Sequence, residues 1–282
     1  MKIQLNNATI LDPQSSWNNQ TCDVLIADGQ IIEIAAKLDY PDALQVQSPN
    51  LCLTTGLVDL KADFCDPGHE HKETIVSGLD AASADGYTRV YIQPGTQPVI
   101  DNKALVSYVQ QQSVNSTTLL GVNGALSIGN AGEELAEMYE LYQQGVRLFT
   151  DDSHSVSAGL LHRALLYTKD FGGRVALLAR NASLSAKAQV NEGSASTRTG
   201  LKADPHVSEI IEIERNLRLL AYTGGKMHLS GISTATGVEL IRSAKKEGLD
   251  LTADVHLMNL CFTEAEMLGF DTRFKVLPVL RT

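Results

Sequence analysis

Between Gly56 and Val255, short β-prone runs alternate with longer amphipathic runs, and this alternation constrains the fold more than any other feature. We predict seven strands, at Gly56–Leu60, Thr88–Gln93, Thr118–Gly124, Val146–Thr150, Arg174–Ala179, Lys226–Ser230 and Asp250–Val255. The helices predicted between them include Glu73–Asp85, Glu133–Gln144, Ala158–Phe171, Val207–Tyr222 and Ala235–Glu247. Strict alternation implies a parallel sheet with helices outside it. Seven consecutive units favour an α/β fold of the (β/α) TIM-barrel type over a doubly wound sheet.

The first 54 residues predict a separate β module. The segment CDVLIADGQIIEIAA consists of two apolar runs around Asp28-Gly29, a pair that supplies the positive φ angles of a tight hairpin. Together with the segment MKIQLNNATILD, it predicts a small sheet of three or more strands. We therefore place an N-terminal β module at residues 1–54 and the barrel at residues 55–282.

Charge, cysteine spacing and hydropathy narrow the functional classes. The net charge is −10 and no Lys/Arg run tracks a phosphate backbone, which argues against a nucleic-acid partner. The four cysteines lack a CxxC spacing, so neither a disulfide framework nor a structural zinc site is indicated. No signal-peptide core and no apolar run of about 18 residues is present, which argues against a membrane protein. We expect a cytoplasmic protein with reduced thiols.

In a (β/α) barrel, catalytic side chains stand at the carboxyl ends of the strands. A binuclear zinc site needs about four to six convergent ligands. The candidates at the predicted strand ends are Asp63, Asp151, Asp152 and His256. A carboxylate trio suits magnesium or calcium better than zinc. Aspartates at such positions also commonly cap helices or hold turns, so the residues alone leave both interpretations open.

Other reactive side chains do not assemble into a site. His69 and His71 form an HxH pair, but they follow Pro67-Gly68 and lead into a predicted helix, which favours a solvated helix start. Cys65 has no histidine partner at a recognisable spacing, and no GxSxG nucleophile elbow is present. Nucleophilic catalysis is therefore not indicated.

Four segments make the sequence closely similar to one family. They are TTGLVDLKADFCDPGHEHKETIVSGLDAASADGYTRV, GEELAEMYELYQQGVRLFTDDS, HLSGISTATGVELI and FKVLPVLRT. With these segments the chain resembles the dihydroorotases of the amidohydrolase superfamily. The resemblance implies a (β/α) barrel of the amidohydrolase type with a small β-sandwich built from both termini. It also implies a zinc-dependent, reversible cyclisation of carbamoyl aspartate to dihydroorotate in pyrimidine synthesis.

Carried over residue by residue, the resemblance implies that most of the family site is lost. The HxH pair that ends the first strand falls on Lys61 and Asp63, and the substrate-binding arginine falls on Cys65. The remaining replaced positions are Gly95 for the asparagine of the second strand, Leu178 and Gly231 for two histidines, and Leu277 for a substrate-contacting asparagine. The acidic pair Asp151-Asp152 survives. We expect no catalytic residue, no zinc and no other cofactor, with Lys61 paired to Asp63, Asp151 or Asp152 in a metal-free pocket.

Degenerate members of this family look like non-catalytic partners of aspartate carbamoyltransferase. We therefore expect a structural or regulatory subunit of pyrimidine synthesis that forms a homo- or hetero-oligomer. One alternative is an active cyclic amidohydrolase with a rearranged site built from Asp63, Asp151 and Asp152. A second alternative is a module that kept the pocket for a regulatory small molecule.

The barrel predicted here is incomplete. Seven strands cannot close a barrel, because the first and last strands keep unpaired edges. We expect the eighth strand and the C-terminal part of the β-sandwich beyond Thr282, or another chain in their place.

Overall fold

The computed structural model describes residues 1–113 and 116–282. The chain divides into two compact units, Met1–Val58 and Asp59–Thr282. The sequence placed the boundary a few residues earlier, between residues 54 and 55.

The first unit is a five-stranded sheet. Its strands are β1 (Lys2–Leu11), β2 (Thr21–Ala27), β3 (Gln30–Ala35), β4 (Leu44–Val46) and β5 (Cys52–Thr54). The order is β3-β2-β1-β4, and β5 also pairs with β1. Strands β2 and β3 form the predicted hairpin, because Ala27 pairs with Gln30 and both turn residues, Asp28 and Gly29, have positive φ. One face buries Ile10, Cys22 and Val24.

Ten more strands follow among the described residues, and all of them except the first two residues of the first strand lie in the second unit. They are β6 (Leu57–Ala62), β7 (Tyr87–Ile92), β8 (Leu119–Val122), β9 (Gly124–Ala125), β10 (Leu148–Thr150), β11 (Arg174–Leu178), β12 (Val190–Asn191), β13 (Ala203–Asp204), β14 (Met227–Ser230) and β15 (Leu251–Ala253). One sheet has the order β6-β7-β8 and another the order β9-β10-β11-β14-β15. Asn123 separates β8 from β9, so the two sheets follow one another around a barrel. Strands β12 and β13 form a separate pair within the long connection after β11.

Helices follow the barrel strands in the order that the alternation predicts. They are α1 (Ile75–Ala84), α2 (Lys103–Gln112), α3 (Met138–Gln143), α4 (Ala158–Lys169), α5 (Ser194–Thr199), α6 (Val207–Thr223), α7 (Ala235–Lys246) and α8 (Leu257–Cys261). Side chains between helices and strands form a large core that includes the fully buried Phe149, and a smaller cluster contains Val190, Ala195 and Met267. All five predicted helices are confirmed.

Two differences from the predicted helices have local causes. Helix α3 begins at Met138 instead of Glu133, because Leu135 pairs with Ser127 in an isolated antiparallel bridge. Helix α2 was missed. Its signals were the N-cap Asn102, whose side chain accepts hydrogen bonds from the Ala104 and Leu105 amides, and the buried pair Val106 and Val109.

All seven predicted barrel strands are present, and their parallel neighbours confirm the (β/α) fold class. Within the described residues, β6 pairs with β7 and β15 with β14, and no pairing between β6 and β15 is found. How the barrel is completed stays a prediction. No helix in the described ranges combines the length and apolar character that a bilayer crossing requires.

Candidate functional site at the open end of the barrel

The carboxyl ends of the barrel strands surround a very small cavity. Its lining residues are Leu60, Lys61, Gln93, Leu148, Thr150, Asp152, Ala176, Leu178, His228, Ser230 and Asp254. The structure therefore brings together Lys61, Asp152 and Leu178, three of the residues that the sequence singled out. The cavity volume is about 10 Å³, which is roughly the minimum for one water molecule. The side chains at these strand ends therefore leave room for about one water molecule in this cavity.

Lys61 pairs with Asp152 across this cavity. The Lys61 Nζ lies 3.4 Å from Asp152 Oδ1, and the two side chains are 21% and 25% exposed. The Asp152 backbone has φ of 55°, and its amide donates a hydrogen bond to Thr150 Oγ1. A Cβ added at Gly95 would lie 3.6 Å from Asp152 Oδ2, so Gly95 stands beside the pair. Of the three carboxylates that the sequence offered to Lys61, the structure selects Asp152.

Asp151 lies next to this pair in sequence but has a different role. Its carboxylate is buried, and Oδ1 accepts hydrogen bonds from the backbone amides of Leu126 and Ser127 at 3.0 and 2.8 Å. The Ser127 hydroxyl donates to Oδ2 at 2.5 Å. Asp151 thus ties the end of β10 to the loop after β9, and both of its oxygens are engaged within the protein.

Asp63 and Cys65 lie outside the cavity, in the turn after β6. Asp63 is exposed, and its Oδ1 accepts a hydrogen bond from the Cys65 amide at 3.1 Å. Burial raises the pKa of the Cys65 thiol, and the neighbouring Asp63 carboxylate raises it further. Asp63 therefore stabilises a turn, which is the alternative role that the sequence left open.

Gly231 and Leu277 lie against His256. Gly231 is buried with φ of 66°, and its amide donates to Asp254 Oδ1 at 2.6 Å. A Cβ at Gly231 would lie 2.9 Å from Pro278 Cδ and 3.1 Å from His256 Nε2. The Leu277 backbone forms a hydrogen bond with His256. The imidazole of His256 therefore occupies the volume into which a side chain at position 231 would project.

His228 and Asp254 are site residues that the sequence analysis did not select. His228 is buried, with Nε2 2.9 Å from Asp254 Oδ2 and Nδ1 2.8 Å from Thr252 Oγ1. Burial acts to raise the pKa of Asp254, but hydrogen bonds from His228 and the Gly231 amide outweigh it and hold that pKa below its usual range. The alternation of His228 and Ser230 along a strand was the available signal, since it points both to one face.

His228, Asp254 and His256 lie close together at this end of the barrel. Among the described residues, both ring nitrogens of His228 have hydrogen-bond partners, whereas Nε2 of His256 has none. Burial lowers the pKa of His256, and the positive charge of Lys61 lowers it further. Its Nε2 is enclosed and has no partner in the described part of the chain. Asn130, which the sequence analysis also missed, is similarly buried beside Gly95 with both amide atoms unpartnered among the described residues.

We expect acidification to destabilise the protein through His256. Its folded pKa lies below the ordinary value of 6.5, so the unfolded state binds the proton more readily. The resulting stability is present above about pH 6.5 and is lost as the pH falls through the folded pKa. The unfolding free energy measured by urea denaturation from pH 8 to pH 5 should decrease less in His256→Gln than in the wild type. His71→Gln, at an exposed position, should show the same decrease as the wild type. Equal decreases in all three proteins would contradict the assignment of this pH dependence to His256.

These side chains do not fit a zinc ion. Leu178 and Gly231 offer no side-chain donor atom, Asp151 has both oxygens engaged, and Lys61 places a positive group against Asp152. Zinc sites require about four ligands with nitrogen or sulfur donors. Across residues 1–113 and 116–282, no cluster of three or more His, Cys, Asp or Glu side chains is arranged to hold a metal.

A histidine introduced at position 231 should destabilise the protein and should not create a metal site. Gly231→His forces a side chain into a left-handed backbone conformation and against Pro278 and His256, at a cost of at least about 2 kcal/mol. Thermal unfolding measures the loss. Gly129→Ala is the matched control, because Gly129 has φ of 61° but no atom within 4 Å of the added Cβ. A Gly231→His variant as stable as this control would refute the packing argument.

A sequence profile of the family described as Dihydro-orotase-like matches residues 51–236. The chain is 35% identical over 284 residues to a dihydroorotase of Syntrophotalea carbinolica, covering 100% of this chain and 67% of that protein. It is 37% identical over 284 residues to a dihydroorotase of an Anaeromyxobacter species, covering 99% of this chain and 65% of the relative. The chain thus spans about two thirds of the length of these relatives.

Solved structures agree on the fold. An L-hydantoinase (dihydropyrimidinase) from Arthrobacter aurescens superposes with a TM-score of 0.79 at 18% identity, covering 99% of this chain and 64% of that one. A dihydropyrimidinase from Brevibacillus agri gives the same TM-score and identity, covering 100% of this chain and 63% of that one. At this level of identity the likeness concerns architecture alone.

Proposed function

We propose a function for this chain on the basis of its family: the chain belongs to the dihydroorotase family of the amidohydrolase superfamily. Our proposal is that it serves pyrimidine biosynthesis without catalysing dihydroorotate formation, as a structural or regulatory partner of aspartate carbamoyltransferase. Because a fold can be kept for assembly after its chemistry is lost, family membership and inactivity are compatible.

The observation that carries the proposal is the small cavity at the carboxyl ends of the barrel strands, which we call the barrel mouth, and the ion pair that crosses it. Lys61 and Asp152 face each other across a cavity of about 10 Å³, and Leu178 lines the same space. Metal-assisted hydrolysis needs an open coordination position and room for the substrate beside it. His228, whose side chain lines this cavity, has both ring nitrogens hydrogen bonded to protein groups, so neither of them is free to accept a proton from a substrate.

The proposed partnership places the contacts away from the barrel mouth, on loops and outer helices. A stable interface should bury about 1,200–2,000 Å² in total. The partnership requires both proteins in the cytoplasm, which is the location that the sequence predicts. The partnership also requires that the two proteins form a hetero-oligomer.

Co-purification tests the partnership. The tagged chain, expressed in its own cell, should retain the aspartate carbamoyltransferase of that cell through size-exclusion chromatography at micromolar concentration. The carbamoyltransferase expressed without this chain should elute as a smaller assembly. A chain that stays monomeric beside the carbamoyltransferase at these concentrations would contradict the scaffold role.

An active cyclic amidohydrolase is the second candidate. Identity of 35% over the whole chain to proteins named dihydroorotase favours it. Such an enzyme would have to build a metal site from Asp63, Asp151 and Asp152. The contacts argue against this arrangement, because Asp63 is exposed in a turn and Asp151 already accepts three hydrogen bonds.

A further inference from the structure

Asp151, Asp152 and Asp254 are three of the carboxylates near the barrel mouth, and two of them are compensated without a cationic lysine or arginine. Asp151 accepts three hydrogen bonds from Leu126 and Ser127. Asp254 accepts hydrogen bonds from the Gly231 amide and contacts His228 Nε2. A partly buried carboxylate without such partners is costly, so the third one, Asp152, needs a different kind of compensation.

Lys61 provides that compensation. In the described ranges it is the cationic side chain that pairs with Asp152, at 3.4 Å, and four fifths of its side chain is buried. The apolar side chains of Leu148 and Leu178 line the same cavity as Lys61. The aliphatic stem of a lysine can pack against such apolar groups while its ammonium reaches a carboxylate.

The positive charge of Lys61 also acts across the mouth. It is among the causes that lower the pKa of His256, whose ring lies beside Gly231 and Pro278. Lys61 thus acts on groups from two segments, Asp152 after β10 and His256 after β15. Little room remains beside it, since the cavity volume is about 10 Å³.

We infer that the Lys61 ammonium is a built-in cation that takes the place of a metal ion at the barrel mouth, where it neutralises Asp152. A divalent ion in the same volume is repelled by the ammonium and finds Asp152 already paired. The inference stands on these contacts and does not depend on the carbamoyltransferase partnership, so a failed co-purification leaves it intact.

A double-mutant cycle on the full chain tests the inference. Lys61→Met keeps most of the stem and removes the charge, and should lower the melting temperature by about 2–6 °C. Adding Asp152→Asn to Lys61→Met should recover more than half of that loss, because the unpaired carboxylate is gone. Lys103→Met is the matched control: Lys103 pairs with Glu140 at 3.3 Å, but the two side chains are 62% and 51% exposed, so its loss should leave the melting temperature unchanged.

Two further readouts separate a cation from a merely packed side chain. The pKa of His256, followed by NMR of its ring Cε1–H, should rise in Lys61→Met and stay at the wild-type value in Lys103→Met. The melting temperature of the wild type should be the same with EDTA and with zinc chloride. If the effects of Lys61→Met and Asp152→Asn on the melting temperature were additive and the pKa of His256 were unchanged in Lys61→Met, Lys61 would contribute only the packing of its aliphatic stem. That outcome would overturn the inference. A wild-type melting temperature that zinc chloride raises and EDTA lowers would equally overturn the inference.

Discussion

Replacing Asp151 with alanine should lower the free energy of unfolding by about 3–5 kcal/mol. The reason is that three donors, the amides of Leu126 and Ser127 and the Ser127 hydroxyl, lose their acceptor in a fully buried position. Asp151→Asn should recover part of the loss, since its remaining oxygen can still accept from the amides. Urea denaturation at neutral pH measures both variants.

Asp152 provides the comparison for this prediction. It follows Asp151 directly, but its side chain is 25% exposed and pairs with Lys61. Asp152→Ala should cost about 1 kcal/mol, in the range of partly exposed ion pairs. If both aspartates were metal ligands instead, both variants should lose bound metal and stability to similar extents. Equal effects of the two substitutions would therefore contradict the structural role of Asp151.

Replacing Arg281 with methionine should destabilise the protein by about 3 kcal/mol or more. Its side chain is 13% exposed, and its guanidinium donates to Ser233 Oγ, Asn191 Oδ1 and the Asp204 carbonyl at 3.2, 2.9 and 2.8 Å. The side chain of Asp204 is almost fully buried and forms ion pairs with both Arg180 and Arg281. After the substitution, Asp204 keeps its ion pair with Arg180. Arg281 joins three distant segments of the second unit, and methionine makes none of these hydrogen bonds.

The control for Arg281 is another arginine that pairs with an aspartate on the surface. Arg273 contacts Asp271, but its side chain is 82% exposed. Arg273→Met should change the free energy of unfolding by less than about 1 kcal/mol. A comparable loss in the two variants would show that burial of the Arg281 network is not the source of its contribution.

The sequence could predict the barrel because its strands and helices carry strong local signals. Strands such as Arg174–Leu178 are short apolar runs, and helices such as Val207–Thr223 carry the helical period over several turns. Helix α2 escaped because it is only ten residues long and its last three residues are glutamines, so that capping by Asn102 and the packing of Val106 and Val109 decide its conformation.

The site was predictable as a set of replaced residues but not as a geometry. The resemblance pointed to Lys61 and to three possible carboxylates, and the contacts of each aspartate depend on loops that no local pattern fixes. Asp151 finds its partners in a loop more than twenty residues earlier in the chain. His256 and Asn130 acquire their burial from tertiary packing, which explains why their neighbours in sequence gave no signal for it.

The central claim is that this member of the dihydroorotase family has lost its chemistry. The most direct test measures dihydroorotate hydrolysis and carbamoyl aspartate cyclisation by the purified full chain, with and without added zinc chloride, beside elemental analysis of the same sample. The account predicts turnover at the level of the blank in every condition and zinc well below one equivalent per chain. Zinc-dependent turnover above the blank, with stoichiometric zinc bound at Asp63 and at Asp151 or Asp152, would contradict it.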